Sequence, residues 1–235
     1  MDHATSTVRR RAVPRALARR VRPRALRERE GRRGFTLIEI LAVMVIIAIL
    51  ASFLVPNIID YFDTAEVRAC SANMSQIYAG MITYKDRHDR APSKTGVAFF
   101  AELISRGAMT NSVTNARRLT CPGVDIGSLT IRDLEPTEWW VNLEDLDGTW
   151  SSYAGRDCDR FPMRKFPGDG REPLVADDND GGMNHSTTTN VLYSDGSVQT
   201  FELFEEREKG LVGQEEDVIV GPDASIEDLR KFSLD

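Results

Sequence analysis

Residues 32–58, "RRGFTLIEILAVMVIIAILASFLVPNI", contain the longest apolar run of the chain. The 21 residues from Phe35 to Val55 include no Lys or Arg, and only three of them are polar: Thr36, Glu39 and Ser52. As an α-helix they would extend about 32 Å, which matches a bilayer hydrocarbon core of about 30 Å. A helix buried in a globular core is rarely apolar on all sides for this length. The run therefore predicts a membrane-spanning helix.

Charge is distributed unevenly around this run. Residues 1–34 carry twelve Arg and three acids, a balance of +9, whereas the remaining 201 residues carry −15. By the positive-inside rule we expect a cytoplasmic N-terminus and an exported body. A secretory signal peptide would also explain the arginines, but it leaves Glu39 unexplained, and no small-x-small cleavage site follows the run. The acidic body disfavours nucleic acid as a partner, because phosphate would be repelled.

Helical periodicity continues beyond the apolar run. Apolar residues recur roughly every three or four positions: Ile58, Ile59, Phe62, Ala65, Ala69, Ala72, Ile77, Met81 and Tyr84. Pro56 lies between the two halves, where it should kink the helix, and Pro92 should end it. We therefore expect one helix from about Phe35 to about His88, with a membrane-spanning segment at 35–56 and an amphipathic continuation at 57–92.

The fixed positions around the apolar run closely resemble the N-terminal signal of type IV pilins and type II secretion pseudopilins. Gly34 precedes the cleavage point, Phe35 follows it, and Glu39 and Pro56 occupy the fifth and twenty-second positions of the mature chain. The resemblance implies that a prepilin peptidase removes residues 1–34 as a basic cytoplasmic leader and methylates Phe35. It also implies that the chain leaves the inner membrane for a helical filament. A leader of 34 residues is longer than is usual in this family.

Glu39 is the unusual residue of the apolar run. An acid at the bilayer centre costs roughly 2.5–3.5 kcal/mol on insertion scales, so it is rarely without a role. Cleavage would create a new amine on Phe35, and in a filament this amine could pair with Glu39 of a neighbouring subunit. The resemblance implies the same assembly role. The alternative is a carboxylate that pairs only with its own N-terminus.

Residues 93–235 are predicted to form the exported domain, of class α+β. Segment 96–109 has the pattern of a short amphipathic helix, and segment 190–203 that of a β-hairpin. Segment 225–232 is expected to be a terminal helix with Ser225 as its N-cap. The expected architecture is a long N-terminal helix packed on a small antiparallel sheet, with long loops between the strands.

The hairpin carries a second motif. Nine residues separate His185 from Asp195-Gly196, which is the expected hairpin turn. This spacing resembles the H-x9-DG signature of a pilin-like family, and "LTCPG" around Cys121 and "SYAGRD" at 152–157 fit that group. The resemblance implies no known chemistry. The preferred interpretation is a turn with a loop histidine hydrogen-bonded to it, and a ligand or catalytic role for His185 is the alternative.

Segment 175–185, "VADDNDGGMNH", is the candidate metal site. Asp177, Asp178 and Asp180 offer hard oxygen ligands, and two glycines allow a sharp turn, which suits calcium. The spacing is not that of an EF-hand. A solvated acidic loop without metal is the alternative.

The three cysteines have no metal-binding spacing, because the chain has no C-x-x-C and no Cys/His cluster along the sequence. Export permits oxidation, and a bridge between Cys121 and Cys158 would contribute about 3–4 kcal/mol by loop entropy. Cys70, on the long helix, is expected to be a packed thiol.

These features favour a structural protein over an enzyme. The sequence has no P-loop, no G-x-G-x-x-G and no H-E-x-x-H motif. The leading hypothesis is a pseudopilin of a type II secretion-like machine, with copies of itself, other pseudopilins, the prepilin peptidase, the assembly platform and the lipid bilayer as partners. The alternatives are a minor type IV pilin for adhesion, motility or DNA uptake, and a binding module or enzyme anchored by a pilin helix.

Overall fold

The computed structural model describes residues 34–163, 165–168, 170–179 and 182–234, with the backbone alone for 54–61. The predicted leader lies outside these residues, except for Gly34. The chain forms two compact units, which divide after Ala48. Among the described residues, no helix combines the length and the apolar character needed to span a membrane.

Helix α1, Leu37–His88, contains 52 residues and belongs to both units. Its bounds agree with the predicted single long helix. The helix continues through Pro56, and the kink expected there stays a prediction. The first described residues, from Gly34 to Phe53, are all exposed.

The sheet of the second unit has five antiparallel strands in the order β4-β3-β2-β1-β5. In chain order the strands are β1 Tyr153–Arg156, β2 Pro173–Asp177, β3 Thr188–Tyr193, β4 Val198–Glu202 and β5 Phe232–Ser233. Strands β3 and β4 form the hairpin predicted at 190–203. The prediction of an α+β class with a small antiparallel sheet is therefore confirmed.

Three short α-helices accompany the sheet: α2 Val97–Ser105, α3 Val113–Arg117 and α4 Leu203–Glu208. Helix α2 is the one predicted at 96–109. The prediction of a terminal α-helix at 225–232 is wrong. That segment contains a short 3-10 helix, Glu227–Lys231, and then strand β5. Phe232 pairs with Arg156 of β1 at the edge of the sheet. The backbone N–H and C=O groups of this segment therefore find partners in the sheet, so they do not need the hydrogen bonds of a longer helix.

One apolar stripe of α1 belongs to the main core. Its members are buried and follow one another at intervals of three and four residues: Cys70, Met74, Ile77, Met81 and Tyr84. The predicted stripe was correct at Ile77, Met81 and Tyr84. It was wrong at four positions that are exposed: Phe62, Ala65, Ala69 and Ala72.

The sheet separates two apolar clusters. The strand residues Tyr153, Val175 and Leu192 join α1 and α2 in the main core. Their neighbours Ala154, Ala176 and Val191 contact a second cluster formed with the C-terminal segment. Because side chains alternate along a strand, both faces of the sheet are covered, and the middle strands β1, β2 and β3 are buried throughout.

Candidate functional site

The N-terminus of α1 is closed by a capping box. The carboxylate Oε2 of Glu39 accepts hydrogen bonds from the backbone N of Thr36 at 2.7 Å and from its hydroxyl at 2.8 Å. The hydroxyl of Thr36 in turn accepts from the backbone N of Glu39 at 3.3 Å. This reciprocal arrangement satisfies backbone donors that a helix leaves unpaired at its start. The pattern T-L-I-E at 36–39 could have been recognised in the sequence, but the capping role was missed.

The residues around the predicted cleavage point are accessible. Gly34 and Phe35 are both exposed, and nothing lies within 4 Å of the position of a Cβ on Gly34. Pro56 lies in α1, and its side chain is outside the described atoms.

The start of α1 exposes a continuous apolar surface. Its large side chains are between 50% and 83% exposed: Leu37, Ile38, Ile40, Leu41, Val43, Met44, Val45, Ile46, Ile47, Ile49, Leu50 and Phe53. A surface of this extent is typical of a segment covered by lipid or by another protein.

A buried polar cluster lies between α1 and the sheet of the second unit. Four side chains from four chain segments form it, and each is at most 2% exposed: Cys70 of α1, Cys121 after α3, Asp177 at the end of β2 and His185 before β3. One ligand atom of each lies within 4.8 Å of the others.

Short contacts connect all four members of the buried polar cluster. Sγ of Cys70 donates to Oδ1 of Asp177 at 3.0 Å. Sγ of Cys121 is 3.3 Å from Nε2 of His185. The same Nε2 is 3.6 Å from Oδ2 of Asp177. A nitrogen, two sulfurs and a carboxylate therefore face one small volume.

Neighbouring groups orient this cluster. The Tyr153 hydroxyl donates to Sγ of Cys70 at 3.4 Å, and the backbone N of Asn190 donates to Oδ2 of Asp177 at 2.8 Å. Asp177 is held by strand pairing of β2 with β1 and β3, so its carboxylate has little freedom to move.

Burial and close contact perturb the titration of these groups. Burial raises the pKa of the Cys70 thiol and of the Asp177 carboxyl. The hydrogen bond with Cys70 is the main cause that lowers the pKa of Cys121 to about 7. Burial opposes protonation of His185, but the hydrogen bond with Cys121 and the charge of Asp177 raise its pKa on balance. Such perturbed groups gather at functional sites.

Three sequence motifs meet at the cluster. The backbone N of Cys121, in "LTCPG", donates to the hydroxyl of Ser152, in "SYAGRD", at 2.7 Å. The hydroxyls of Thr120 and Ser152 are also 2.7 Å apart. The side-chain Nδ2 of Asn184, the residue before His185, donates to the backbone carbonyl of Ser152 at 2.7 Å.

The Asp195-Gly196 turn lies at the end of the β3–β4 hairpin, as predicted. Oδ1 of Asp195 accepts from the backbone N of Ser197 at 2.9 Å. Gly196 has φ +84°, and a Cβ on it would stand 2.8 Å from the ring of Tyr78 in α1. His185 is bonded to Cys121 instead of to this turn, so the predicted bond between histidine and turn is wrong.

Comparison with known proteins connects the N-terminal features to a family. A family model described as the prokaryotic N-terminal methylation motif matches residues 29–55. The ComG operon protein 3 homolog of Bacillus licheniformis is 31% identical over 91 residues, which make up 38% of this chain and 81% of that protein. The chain belongs to the type IV pilin-like pseudopilin family.

Two further relatives of this pseudopilin are a type II secretion protein and a competence protein. Type II secretion system core protein G of Klebsiella michiganensis is 37% identical over 65 residues, 28% of this chain and 46% of that protein. Competence protein ComGC of Bacillus subtilis is 28% identical over 97 residues, 40% of this chain and 93% of that protein. The chain thus spans about half the length of the Klebsiella protein. No solved structure matches it.

Family membership confirms the prediction of a pilin-like chain. It also supports membrane anchoring in general terms, since the methylation motif matched at 29–55 contains Gly34, Phe35 and Glu39.

The calcium site predicted for this pseudopilin stays a prediction, although two of its ligands face different surroundings. The carboxylate of Asp177 points into the buried cluster, whereas Asp178 lines an open cavity of about 440 Å³. Asp177 is the last residue of β2 and Asp178 follows the strand, and their carboxylates face these two different places. Asp180 lies outside the described residues.

The predicted bridge between Cys121 and Cys158 is also not formed, because all three cysteines are free. Cys121 is directed at His185, and Cys158 lines a separate cavity together with Met163 and Phe166. Burial raises the pKa of Cys158 to about 11.

Proposed function

We propose that this pseudopilin is a structural subunit of a type II secretion-like machine, and that it polymerises through α1 after cleavage between Gly34 and Phe35. The exposed apolar surface at the start of α1 carries the proposal. Such a surface is unstable in water and has two suitable covers, lipid before assembly and the helices of neighbouring subunits afterwards. Partners on this proposal are copies of the chain and other pseudopilins, together with the prepilin peptidase and the assembly platform.

Two features of the sequence support a membrane location. The apolar run has the length of one bilayer crossing. The basic residues that directly flank it, Arg32 and Arg33, lie on its N-terminal side, and acids follow it at Asp60, Asp63 and Glu66. We place the precursor in the inner membrane as a single-pass protein, with its N-terminus in the cytoplasm and its body in the periplasm. In this orientation the Gly34–Phe35 bond lies at the cytoplasmic face, where the peptidase acts.

Glu39 has two possible partners in this scheme. In the described structure its carboxylate is satisfied by Thr36 of the same chain. Cleavage would place a new amine on Phe35, and in the filament the amine of a neighbour could reach Glu39 in a dry environment. There an unpaired charge is costly, so the ion pair would favour one axial register of the subunits.

Substitution of Glu39 separates docking from capping. Glu39→Gln retains a side chain that can form the capping box but removes the charge. We expect Glu39→Gln and Glu39→Leu to be inserted, cleaved and methylated at Phe35, as mass spectrometry of the N-terminal peptide would show. We expect both to form less than about a tenth of the wild-type filament, because docking would lose an ion pair worth about 1.4 kcal/mol or more. Pelleting of sheared filaments and cysteine cross-linking between subunits measure assembly.

Two controls complete this experiment. Thr36→Val removes the capping hydroxyl but leaves the Glu39 charge, and Glu215→Leu removes an exposed carboxylate far from α1 in the sequence. Both should assemble like the wild type. Normal assembly of Glu39→Gln would show that the charge has no docking role, and failure of Thr36→Val would assign the effect to the helix cap.

A further inference from the structure

The buried polar cluster has the donor atoms of a tetrahedral zinc site. Its two thiols, imidazole and carboxylate are all ligand types that zinc accepts in proteins. With bonds of about 2.0–2.3 Å to the ion, donors at the corners of a tetrahedron stand roughly 3.5 Å apart. The contacts of 3.0, 3.3 and 3.6 Å within the cluster, and the limit of 4.8 Å for all pairs, fit this spacing.

The charge of the cluster also requires a partner. Asp177 is completely buried, and burying a carboxylate is costly unless it is paired. Among the described residues its ion pair is with His185, and no Lys or Arg forms one with it. A divalent cation would supply the missing positive charge. Thiolates and imidazole together favour zinc over calcium or magnesium, which prefer oxygen ligands.

The surroundings of His185 provide a second observation. Nε2 faces the other cluster members, and Nδ1 is buried without a hydrogen-bond partner in the described part of the chain. Histidines that bind a metal through one nitrogen usually donate the other N–H to a carboxylate. A carboxylate oxygen of Asp63 and one of Glu66, both on α1, lie within 4.8 Å of a ring nitrogen of His185. Either carboxylate is a candidate acceptor for this N–H.

A surface groove borders the cluster at Cys121. An open groove of about 460 Å³ is lined by Cys121 together with Ala69 and Asn73 of α1. An ion entering here would meet Cys121 first. The four donors come from α1, two loops and β2, so a bound ion would hold the helix to the sheet.

We propose that Cys70, Cys121, Asp177 and His185 bind one structural zinc ion, which fastens α1 to the sheet of this pseudopilin. Binding displaces one proton from each thiol and, where His185 is paired with Asp177 as an imidazolium, a third proton from its ring; all of these protons pass to solvent. The carboxylate binds without further change. This proposal does not depend on filament formation, and its test can be done on the unassembled chain.

The experiment uses the full chain purified in mild detergent, incubated with Zn²⁺ alone and then freed of unbound ion by gel filtration. Mass spectrometry of the elements should find about one zinc per chain. Cys121→Ser and Cys70→Ser should lose the zinc, whereas Cys158→Ser should retain it, because that buried cysteine lies outside the cluster. In a second sample, kept at a free zinc concentration a hundred times its Kd, chelation should lower the melting temperature by about 5–10 °C.

A measurement on the wild-type chain avoids any dependence on folding of the variants. Co²⁺ in place of Zn²⁺ should give the intense near-ultraviolet band of thiolate-bound cobalt, and Zn²⁺ should abolish it. Absence of zinc and of this band would overturn the proposal. It would also be overturned by a mass deficit of two hydrogens that maps to a Cys70–Cys121 disulfide, or by zinc that both serine variants of the cluster retain.

Discussion

Gly196 is a residue whose side chain is excluded by its surroundings. Its φ of +84° lies in the left-handed region, and the ring of Tyr78 occupies the place of a Cβ. The hydroxyl of Tyr78 also donates to the carbonyl of Ser194 in the same turn, at 3.3 Å. The glycine of the H-x9-DG motif therefore allows the hairpin to lie directly against α1.

We expect Gly196→Ala to lower the free energy of unfolding by about 1–3 kcal/mol, because strained backbone and a displaced ring add their costs. Thermal unfolding of the detergent-solubilised chain measures the change. Gly170→Ala is the matched control, since nothing lies within 4 Å of a Cβ there. An equal effect of the two substitutions would contradict this explanation.

Helix α1 is the element that connects the two proposed roles of the chain. Between Leu37 and Phe53 its apolar side chains are exposed, whereas from Cys70 to Tyr84 one stripe is buried against the body. Apolar side chains therefore stabilise the fold between Cys70 and Tyr84. Between Leu37 and Phe53 the same type of side chain has the proposed role in assembly. The two segments should respond differently to substitution.

Removing a buried side chain of α1 should destabilise the body. Met74 is completely buried, and Met74→Ala should cost about 2–5 kcal/mol through lost contacts and a cavity. Phe62 is larger but 65% exposed, so Phe62→Ala should change the free energy of unfolding by no more than about 0.5 kcal/mol. Denaturant unfolding of both variants tests this. A larger effect of Phe62→Ala would mean that the orientation of α1 differs from the one described.

At the scale of the whole molecule, stability rests on the two apolar clusters that cover the sheet, and a disulfide bridge is not part of it. Residues 35–235 carry most of the acidic residues, and their three cysteines are buried and free. Burial, which raises the pKa of Cys158 to about 11, also protects this thiol from oxidation.

We therefore expect a phosphine reductant to leave the melting temperature of the purified chain unchanged within about 1 °C, since it has no native bridge to break. Intact mass before and after reduction should be the same. If reduction adds two hydrogens to the mass and lowers the melting temperature, the chain does contain a disulfide. The bridge between Cys121 and Cys158 that the sequence suggested would then be supported.

The sequence by itself determined the features whose signals are local. The apolar run with Gly34 and Glu39 identified the family, and the helical period gave one long helix. The turn residues Asp195-Gly196 placed the hairpin, because turn chemistry depends on a few adjacent residues. The same local reasoning failed for the segment 225–232, where a distant strand pairs with the backbone.

Only the tertiary structure decided which polar side chains meet. The members of the buried polar cluster are far apart in the chain, so no spacing rule for cysteines could find them. The position of Asp177 at the end of β2 directs its carboxylate into the core, and the packing of α1 on the sheet brings Cys70 to the same place. A site built from four segments depends on how helix and sheet dock, and that is settled by burial over the whole core rather than by any single stretch of sequence.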